Sequence, residues 1–155
     1  MLTLVTGKSK EDCVDMAKGA IADGSALNKL KEMVYEQGGN PDWIEDTSLF
    51  PKAEYSFEIK AEADGYIMHM DAEKIGVASL LLGAGRNTKE DELDFSAGII
   101  LNKKTSDKVA KGEVIATLYA NDQNKFAAAV QKFNEALVFS DEYIEKQPLV
   151  YSVIK

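Results

Sequence analysis

The sequence predicts an α+β protein in which helices come first and strands dominate the remainder. Apolar residues recur at helical spacing through the first 50 positions, and from Glu54 onward they alternate with polar residues as in a half-buried strand. Later strand-like runs are separated by isolated helical segments rather than by a regular alternation of helix and strand. We therefore expect an α+β fold and not a wound parallel sheet.

The composition sets limits on size, partners and location. A chain of 155 residues is one ordinary domain, or a small domain with an appendage, and 45% hydrophobic residues suffice for a core. The net charge of −8 argues against a nucleic-acid-binding surface, which needs clustered positive charge. No apolar run approaches the roughly 20 residues of a membrane span, and the N-terminus does not resemble a signal peptide. We expect a cytoplasmic protein that binds neither nucleic acid nor membranes.

The first 50 residues predict two helices and a short third one. Ser9 can cap the first, because an acidic residue three positions later completes a capping-box pattern. Ser25 can cap the second, which we expect to end at the pair Gly38–Gly39. Pro41 suits the first turn of the third helix, where its missing N–H costs nothing. Residues 47–52 then have the character of a linker.

The remaining region, residues 54–155, predicts five strands and two helices. The predicted strands are Tyr55–Ile59, Tyr66–Met68, Gly98–Leu101, Val114–Tyr119 and Leu149–Ile154. Asp71 can cap a helix that ends at Gly83, and Gly76 inside that helix predicts a close approach by another backbone. The second helix carries the apolar series Phe126, Val130, Phe133 and Leu137.

A series of short motifs between Asp64 and Asn121 is the most specific feature of the chain. The motifs are Asp64-Gly65-Tyr66, Asp71-Ala72-Glu73, Ile75-Gly76-Val77-Ala78, Leu82-Gly83-Ala84-Gly85-Arg86 with Thr88, Asp91 and Asp94, then Gly98-Ile99, Lys103-Lys104, Asp107-Lys108-Val109 and Gly112-Glu113. Together they resemble the C-terminal domain of pyrimidine-nucleoside phosphorylases, the family that includes thymidine phosphorylase. The segment from Ala26 to Gly39 resembles the helix that precedes this domain. Two positions depart from the family pattern: Asn102 stands where a histidine is usual, and Ser106 where a glycine is usual.

The resemblance implies an architecture and a division of the chain. Residues 1–50 would be helices of the larger α/β domain of a parent enzyme. Residues 54–155 would be the C-terminal domain, a β-rich fold of barrel-sandwich or hammerhead type. The resemblance also implies that the full-length parent enzyme is a homodimer. The expected role of this domain is to buttress the phosphate-binding domain and to help the active-site cleft close.

The resemblance also implies a reaction that this chain is not equipped to perform. In the family, phosphate attacks the glycosidic bond of a pyrimidine nucleoside and gives free base and pentose 1-phosphate. That chemistry needs a glycine-rich anion cradle and an Arg-Ser-Lys set that holds the pyrimidine, and we find neither motif. The resemblance places both in upstream catalytic domains. We therefore assign no catalytic residue and expect the isolated chain to be inactive.

Gly83, Gly85, Arg86 and Thr88 are the candidate site residues. Their glycine-rich motif does not predict a phosphate cradle, because it follows a helix, and a helix C-terminus carries partial negative charge. The resemblance places this loop near the closing cleft of the parent enzyme. We therefore expect a cleft-closure loop.

Other residue clusters carry less specific hypotheses. Biotin-carrier domains hold a lysine between two methionines, whereas here His69 lies between Met68 and Met70, and imidazole forms no stable amide with biotin. The acidic loop before residue 95 has no EF-hand spacing, and Cys13 on an apolar helix face predicts a small buried hydrophobe. We expect no metal and no cofactor. A stand-alone regulatory or interaction module remains an alternative, and a biotinyl or lipoyl carrier is a further one.

Overall fold

The computed structural model describes residues 1–86, 88–148, 150–152 and 154. The chain separates into two compact units, Met1–Phe50 and Pro51–Lys155. The first unit is helical, and the second contains both sheets. The predicted α+β class is thus confirmed. The assignment of the first unit to a larger domain of a parent enzyme stays a prediction.

The first unit consists of short helices with local caps. The helices are α1 (Leu2–Thr6), α2 (Lys10–Ala22), α3 (Ser25–Glu36) and α4 (Asp42–Glu45), followed by a 3₁₀ turn at Thr47–Leu49. The Ser9 hydroxyl accepts a hydrogen bond from the Asp12 N–H at 3.1 Å, as the capping pattern predicts. Ser25 is not the cap of α3, because it is the first residue of that helix. Its own N–H donates to the Asp23 carboxylate at 2.8 Å, across the left-handed Gly24.

The helices of the first unit leave much apolar surface exposed. Cys13 is the one residue buried among the first 50, all of which the structure describes. On α3, Leu27, Leu30 and Met33 are all substantially exposed. Most helical stability in proteins comes from packing an apolar face, so these helices offer a surface that their own unit does not cover.

The described residues of the second unit form six strands and two helices. In chain order these are β1 (Tyr55–Lys60), β2 (Gly65–Met70), α5 (Ala72–Ser79) with a π turn at Leu80–Ala84, β3 (Gly98–Leu101), β4 (Lys108–Val109), β5 (Val114–Ala120), α6 (Lys125–Asn134) and β6 (Leu137–Ser140). They form two open three-stranded antiparallel sheets, ordered β1-β5-β3 and β4-β2-β6. The turn at Asp64–Gly65 therefore joins strands of different sheets and does not close a hairpin.

The core of the second unit draws on both sheets and both helices. Strand β5 lies at the centre of its sheet, and Leu118 is paired with Phe57 on one side and Ile99 on the other. The largest fully buried side chains are Phe133, Ile67, Leu82, Ile115, Leu118 and Val109. Helices α5 and α6 contribute Leu82, from the turn that ends α5, and Phe133 to this cluster. The core thereby fixes the end of α5, where the candidate loop begins.

Besides the Ser25 cap, three further local predictions are wrong. Leu137 belongs to β6, because α6 ends at Asn134 and the chain then pairs with β2. Of the strand predicted at Leu149–Ile154, Leu149 and Val153 lie outside the described residues, and Val150–Ser152 is not a strand. Alternation gives a segment the capacity to be a strand, but a strand also needs a partner to pair with. Gly76 marks no close approach, since a Cβ atom there would meet nothing within 4 Å.

Candidate functional site

The candidate site is the α5–β3 loop, by which we mean residues 83–86 and 88–97. Its two glycines are favoured for different reasons. Gly83 has a φ of 114°, a conformation that residues with a side chain rarely adopt. Gly85 is extended, but a Cβ atom there would lie 3.1 Å from Leu80 Cβ. The backbone at position 83 therefore favours glycine, and a side chain at position 85 would require Leu80 to shift by a few tenths of an ångström.

The next two predicted residues have different surroundings. Arg86 is exposed and makes no hydrogen bond or ion pair with any residue that the structure describes. The Thr88 hydroxyl donates to Asp91 Oδ1 at 2.8 Å, and its backbone N–H donates to Asp91 Oδ2 at 3.0 Å. Thr88 thus shapes a local turn, while the guanidinium of Arg86 is available for an external partner.

The two ends of the loop meet at Asp94. The Asp94 N–H donates to the carbonyl oxygen of Gly83 at 3.0 Å, and the Asp94 carbonyl accepts from the Ala97 N–H at 3.2 Å. A surface loop whose ends are held together in this way has the form of an Ω-loop, a kind of segment that is frequently functional. We call the contact between Gly83 and Asp94 the neck of the loop.

A ring of side-chain hydrogen bonds closes around the neck. The Asp94 carboxylate accepts from the Ser96 hydroxyl at 2.7 Å and from the Asn121 amide nitrogen at 2.9 Å. The same Asn121 nitrogen also donates to the Ser96 hydroxyl oxygen at 2.9 Å. The Ser96 hydroxyl, and to a smaller degree the Ser96 N–H and the Asn121 amide, hold the pKa of Asp94 below its ordinary value. These hydrogen bonds therefore favour the ionised form of Asp94, and through them the carboxylate holds the loop.

Asn121 connects this ring to another part of the unit. Its side-chain oxygen accepts from the backbone N–H of Glu54 at 2.7 Å, in the segment that leads into β1. Both amide hydrogens and one oxygen lone pair of Asn121 are thus in use. The orientation of the amide follows from its partners, since a flipped amide would set its oxygen against the Asp94 carboxylate.

Lys125, in the first turn of α6, lies against the same turn. Its ammonium nitrogen is 2.9 Å from the place that a Cβ atom on Gly83 would occupy. A cation at the C-terminal end of a helix is favourable, because exposed carbonyl groups give that end partial negative charge. Lys125 therefore reinforces the end of α5. The described residues include no group of three or more His, Cys, Asp or Glu side chains placed to hold a metal ion.

The carrier hypothesis finds little support in the geometry. His69 is exposed on β2, the central strand of its sheet, opposite Val138 of β6, and so is not at a hairpin tip. The Lys103 ammonium is engaged, since it lies 2.6 Å from Glu113 Oε1 and donates to the Lys108 carbonyl at 3.1 Å. Within the described part of the chain, no helix is both long and apolar enough to cross a membrane.

The sequence singled out Gly83, Gly85, Arg86 and Thr88 as candidates, and that assignment stays a prediction. It assigned no role to Ser96, Asn121 or Lys125. Asn121 pairs with Asp94 at a separation of 27 residues and with Glu54 at a separation of 67. No periodicity or local motif marks a contact over that distance. An asparagine directly after a buried strand is the one signal present, and it is not specific.

The fold and loop together define a small α+β domain in which described polar groups hold the α5–β3 loop at its neck. Residues 66–140 match the family described as the pyrimidine nucleoside phosphorylase C-terminal domain. The chain therefore carries the C-terminal domain of the pyrimidine-nucleoside phosphorylase family, as its motifs predicted.

Curated relatives agree with this assignment. The chain is 43% identical over 125 residues to the pyrimidine-nucleoside phosphorylase of Bacillus subtilis, and 42% identical over 127 residues to that of Staphylococcus haemolyticus. These matches cover 78% and 82% of this chain. A Staphylococcus aureus enzyme of the same name is 39% identical over 87% of the chain. The chain spans 29% of the length of the first two relatives and 31% of the third.

Proposed function

We propose that this chain supplies the C-terminal domain of an enzyme that transfers the pentose of a pyrimidine nucleoside to phosphate, a glycosyltransferase of the thymidine phosphorylase type. The observation that carries the proposal is the family match over residues 66–140 within a longer stretch of 39–43% identity. Phosphate and a nucleoside such as uridine or thymidine are the proposed substrates. We propose that the enzyme also has upstream catalytic domains, forms a homodimer and acts in the cytoplasm in nucleoside salvage.

The helical first unit is proposed to belong to the larger domain of that enzyme. Its helices expose Leu27, Leu30 and Met33, and Cys13 is its single buried residue. A neighbouring domain would be stabilised by covering this surface. Each Å² of apolar surface removed from water contributes a favourable free energy of about 25 cal/mol. Residues 54–155 then form the separate C-terminal domain.

The α5–β3 loop is proposed to assist closure of the active-site cleft through Gly83, Gly85, Arg86 and Thr88. Support comes from the exposed Arg86, which has no hydrogen-bond or ion-pair partner among the residues that the structure describes, on a loop that is held at its neck. A guanidinium can grip a carboxylate, a phosphate or backbone carbonyls on the facing side of a cleft. Closure of this type excludes water from the reaction and completes the catalytic arrangement.

A chimaeric enzyme tests the proposal. In the Bacillus subtilis relative, the segment that matches this chain is replaced by this chain, and phosphate-dependent release of base from uridine and thymidine is measured. We expect the chimaera to be active, and the same relative without the segment, like this chain by itself, to be inactive. A folded chimaera with no phosphorolysis would contradict the proposal, as would turnover by this chain alone.

The stand-alone regulatory module is not favoured, because the matched relatives are named as enzymes and the match extends over most of the chain. Intact-mass measurement distinguishes a biotinyl or lipoyl carrier from the phosphorylase domain and from the regulatory module, since attached biotin or lipoate would add mass to a lysine. We expect the mass of the unmodified chain.

A further inference from the structure

We propose that Asn121 is a positioning residue for the α5–β3 loop, whose amide ties the loop neck at Asp94 to the segment that enters β1 and thereby sets the place of Arg86. The expected effect of Asn121 on catalysis rests on the proposed role of the loop in cleft closure. The structural part of the inference, that Asn121 restrains the loop, is independent of that role. The three contacts of the amide, to Asp94, Ser96 and Glu54, carry it.

The neck is the point at which the loop can be controlled. Asp94 holds Gly83 through its N–H and holds Ser96 through its carboxylate, so both ends of the loop depend on the position of one residue. Asp94 itself lies in an irregular segment, outside any strand or helix. Asn121 directly follows β5, the central strand of its sheet, and so presents the amide from a rigid support.

The chemistry of the amide makes this contact directional. Its nitrogen faces the acceptors Asp94 and Ser96, and its oxygen faces the donor N–H of Glu54. An aspartate at position 121 would keep the size of the side chain and the contact with Glu54 but would lose both donors. It would also bring two carboxylates to about the 2.9 Å that now separates the Asn121 nitrogen from Asp94 Oδ2. Two carboxylates at that distance cannot both ionise without repulsion.

The test compares Asn121→Asp with Asn124→Asp in the full chain. Asn124 offers a matched control, because its amide nitrogen donates to Asp122 Oδ1 at 3.0 Å and the substitution adds the same charge three residues away. Hydrogen exchange is measured for the backbone amides of residues 88–94 and, as a check on folding, for those of β5. At pH 7 we expect about tenfold faster exchange in the loop for Asn121→Asp, from the loss of hydrogen bonds to a charged group. We expect no change for Asn124→Asp or in β5.

The pH dependence separates a specific contact from general loosening. Near pH 4 the Asn121→Asp pair can share a proton, so exchange in the loop should return toward that of the wild type measured at the same pH. The other charged groups close to the ring are Lys52, which lines a pocket with Ser96, and Glu54 and Lys125. Asp122 follows Asn121 directly in the chain, and both variants retain all four groups. Ser96→Ala, which removes a hydroxyl without adding charge, should accelerate exchange by a smaller factor, about threefold. Equal exchange in Asn121→Asp and Asn124→Asp at pH 7 would overturn the proposal.

The effect on catalysis is read in the chimaera described above. We expect kcat/KM to fall about tenfold with Asn121→Asp and to be unchanged with Asn124→Asp, since hinge and loop positions alter kcat and KM together. A loop that loosens with no change in kcat/KM would overturn the positioning role. An inactive wild-type chimaera would instead overturn the proposed function, and the exchange result from the chain itself would still decide whether Asn121 restrains the loop.

Discussion

The backbone N–H of Asp94 lies 3.0 Å from the carbonyl oxygen of Gly83, so that the two ends of the α5–β3 loop meet at one hydrogen bond. Gly83 brings a backbone conformation that favours glycine, and Asp94 brings a carboxylate that binds Ser96 and Asn121. The loop is therefore held by conformation at one end and by hydrogen bonding at the other. The backbone conformation at Gly83 and the hydrogen bonds of Asp94 can each be altered by a separate substitution.

Replacing Gly83 by alanine should destabilise the fold by about 2 kcal/mol, the cost of forcing a side chain into a backbone region that favours glycine. A Cβ atom would also meet the Lys125 ammonium at 2.9 Å and Asp94 Cβ at 3.4 Å. The measurement is the free energy of unfolding in urea. Gly76→Ala is the matched control: it lies inside α5 with open space around it and should stabilise the protein by about 0.5–1 kcal/mol. Equal effects of the two substitutions would contradict this account.

Replacing Ser106 by glycine should stabilise the protein by about 0.5–1 kcal/mol. Ser106 has a φ of 74°, and among the described residues it is the one non-glycine residue with a positive φ. The family pattern that the motifs resemble predicts a glycine at this position, and glycine adopts a positive φ without steric cost. Ser56→Gly, at an exposed position within β1, should instead destabilise by about the same amount, because glycine weakens a strand interior. Chemical denaturation of both variants tests the contrast, and destabilisation by Ser106→Gly would show that its φ stores no strain.

Replacing Asp94 by asparagine should cost about 1–2 kcal/mol at pH 7, with the loss confined to pH values at which the carboxylate is ionised. The Ser96 hydroxyl and its neighbours lower the pKa of Asp94 in the folded state from its ordinary value of 3.8. The stabilisation is therefore complete above the ordinary value and is lost as the pH falls through the lowered pKa. Unfolding curves at pH 7 and below pH 3 test this. In a Ser96→Ala background, the loss of free energy of unfolding caused by Asp94→Asn should depend less on pH. An equal loss at pH 7 and below pH 3 in the otherwise unchanged chain would refute the assignment.

Replacing Arg86 by alanine should leave the stability of the chain within about 0.5 kcal/mol of the wild type, because the side chain is exposed and makes no hydrogen bond or ion pair with a described residue. In the active chimaera it should lower kcat/KM about tenfold if the guanidinium engages the facing side of the cleft. Lys89→Ala removes a positive charge from the same loop and should have little effect. Unchanged turnover and substrate affinity for Arg86→Ala would rule out its part in closure.

The local elements that were predicted correctly depend on residues near to them in the chain. The Ser9 cap of α2 needs only Asp12, three positions away, and Asp71 caps α5 through the N–H of Lys74 at 3.2 Å. The strands β1, β3 and β5 follow from alternation or β-rich composition within a few residues. The family motifs are local in the same way, and this is why the candidate loop was found at its glycines.

The sequence alone determined the α+β class, the order of most elements and the family whose domain the chain carries, since these depend on periodicity, caps and short motifs. Only the tertiary structure decided how the strands of the described residues divide between two sheets, that Leu137 begins β6, and that Asn121 joins Asp94 to Glu54. The physical reason is that these outcomes depend on pairing between distant residues. Such contacts form only when the core, centred on residues such as Phe133, brings the segments together.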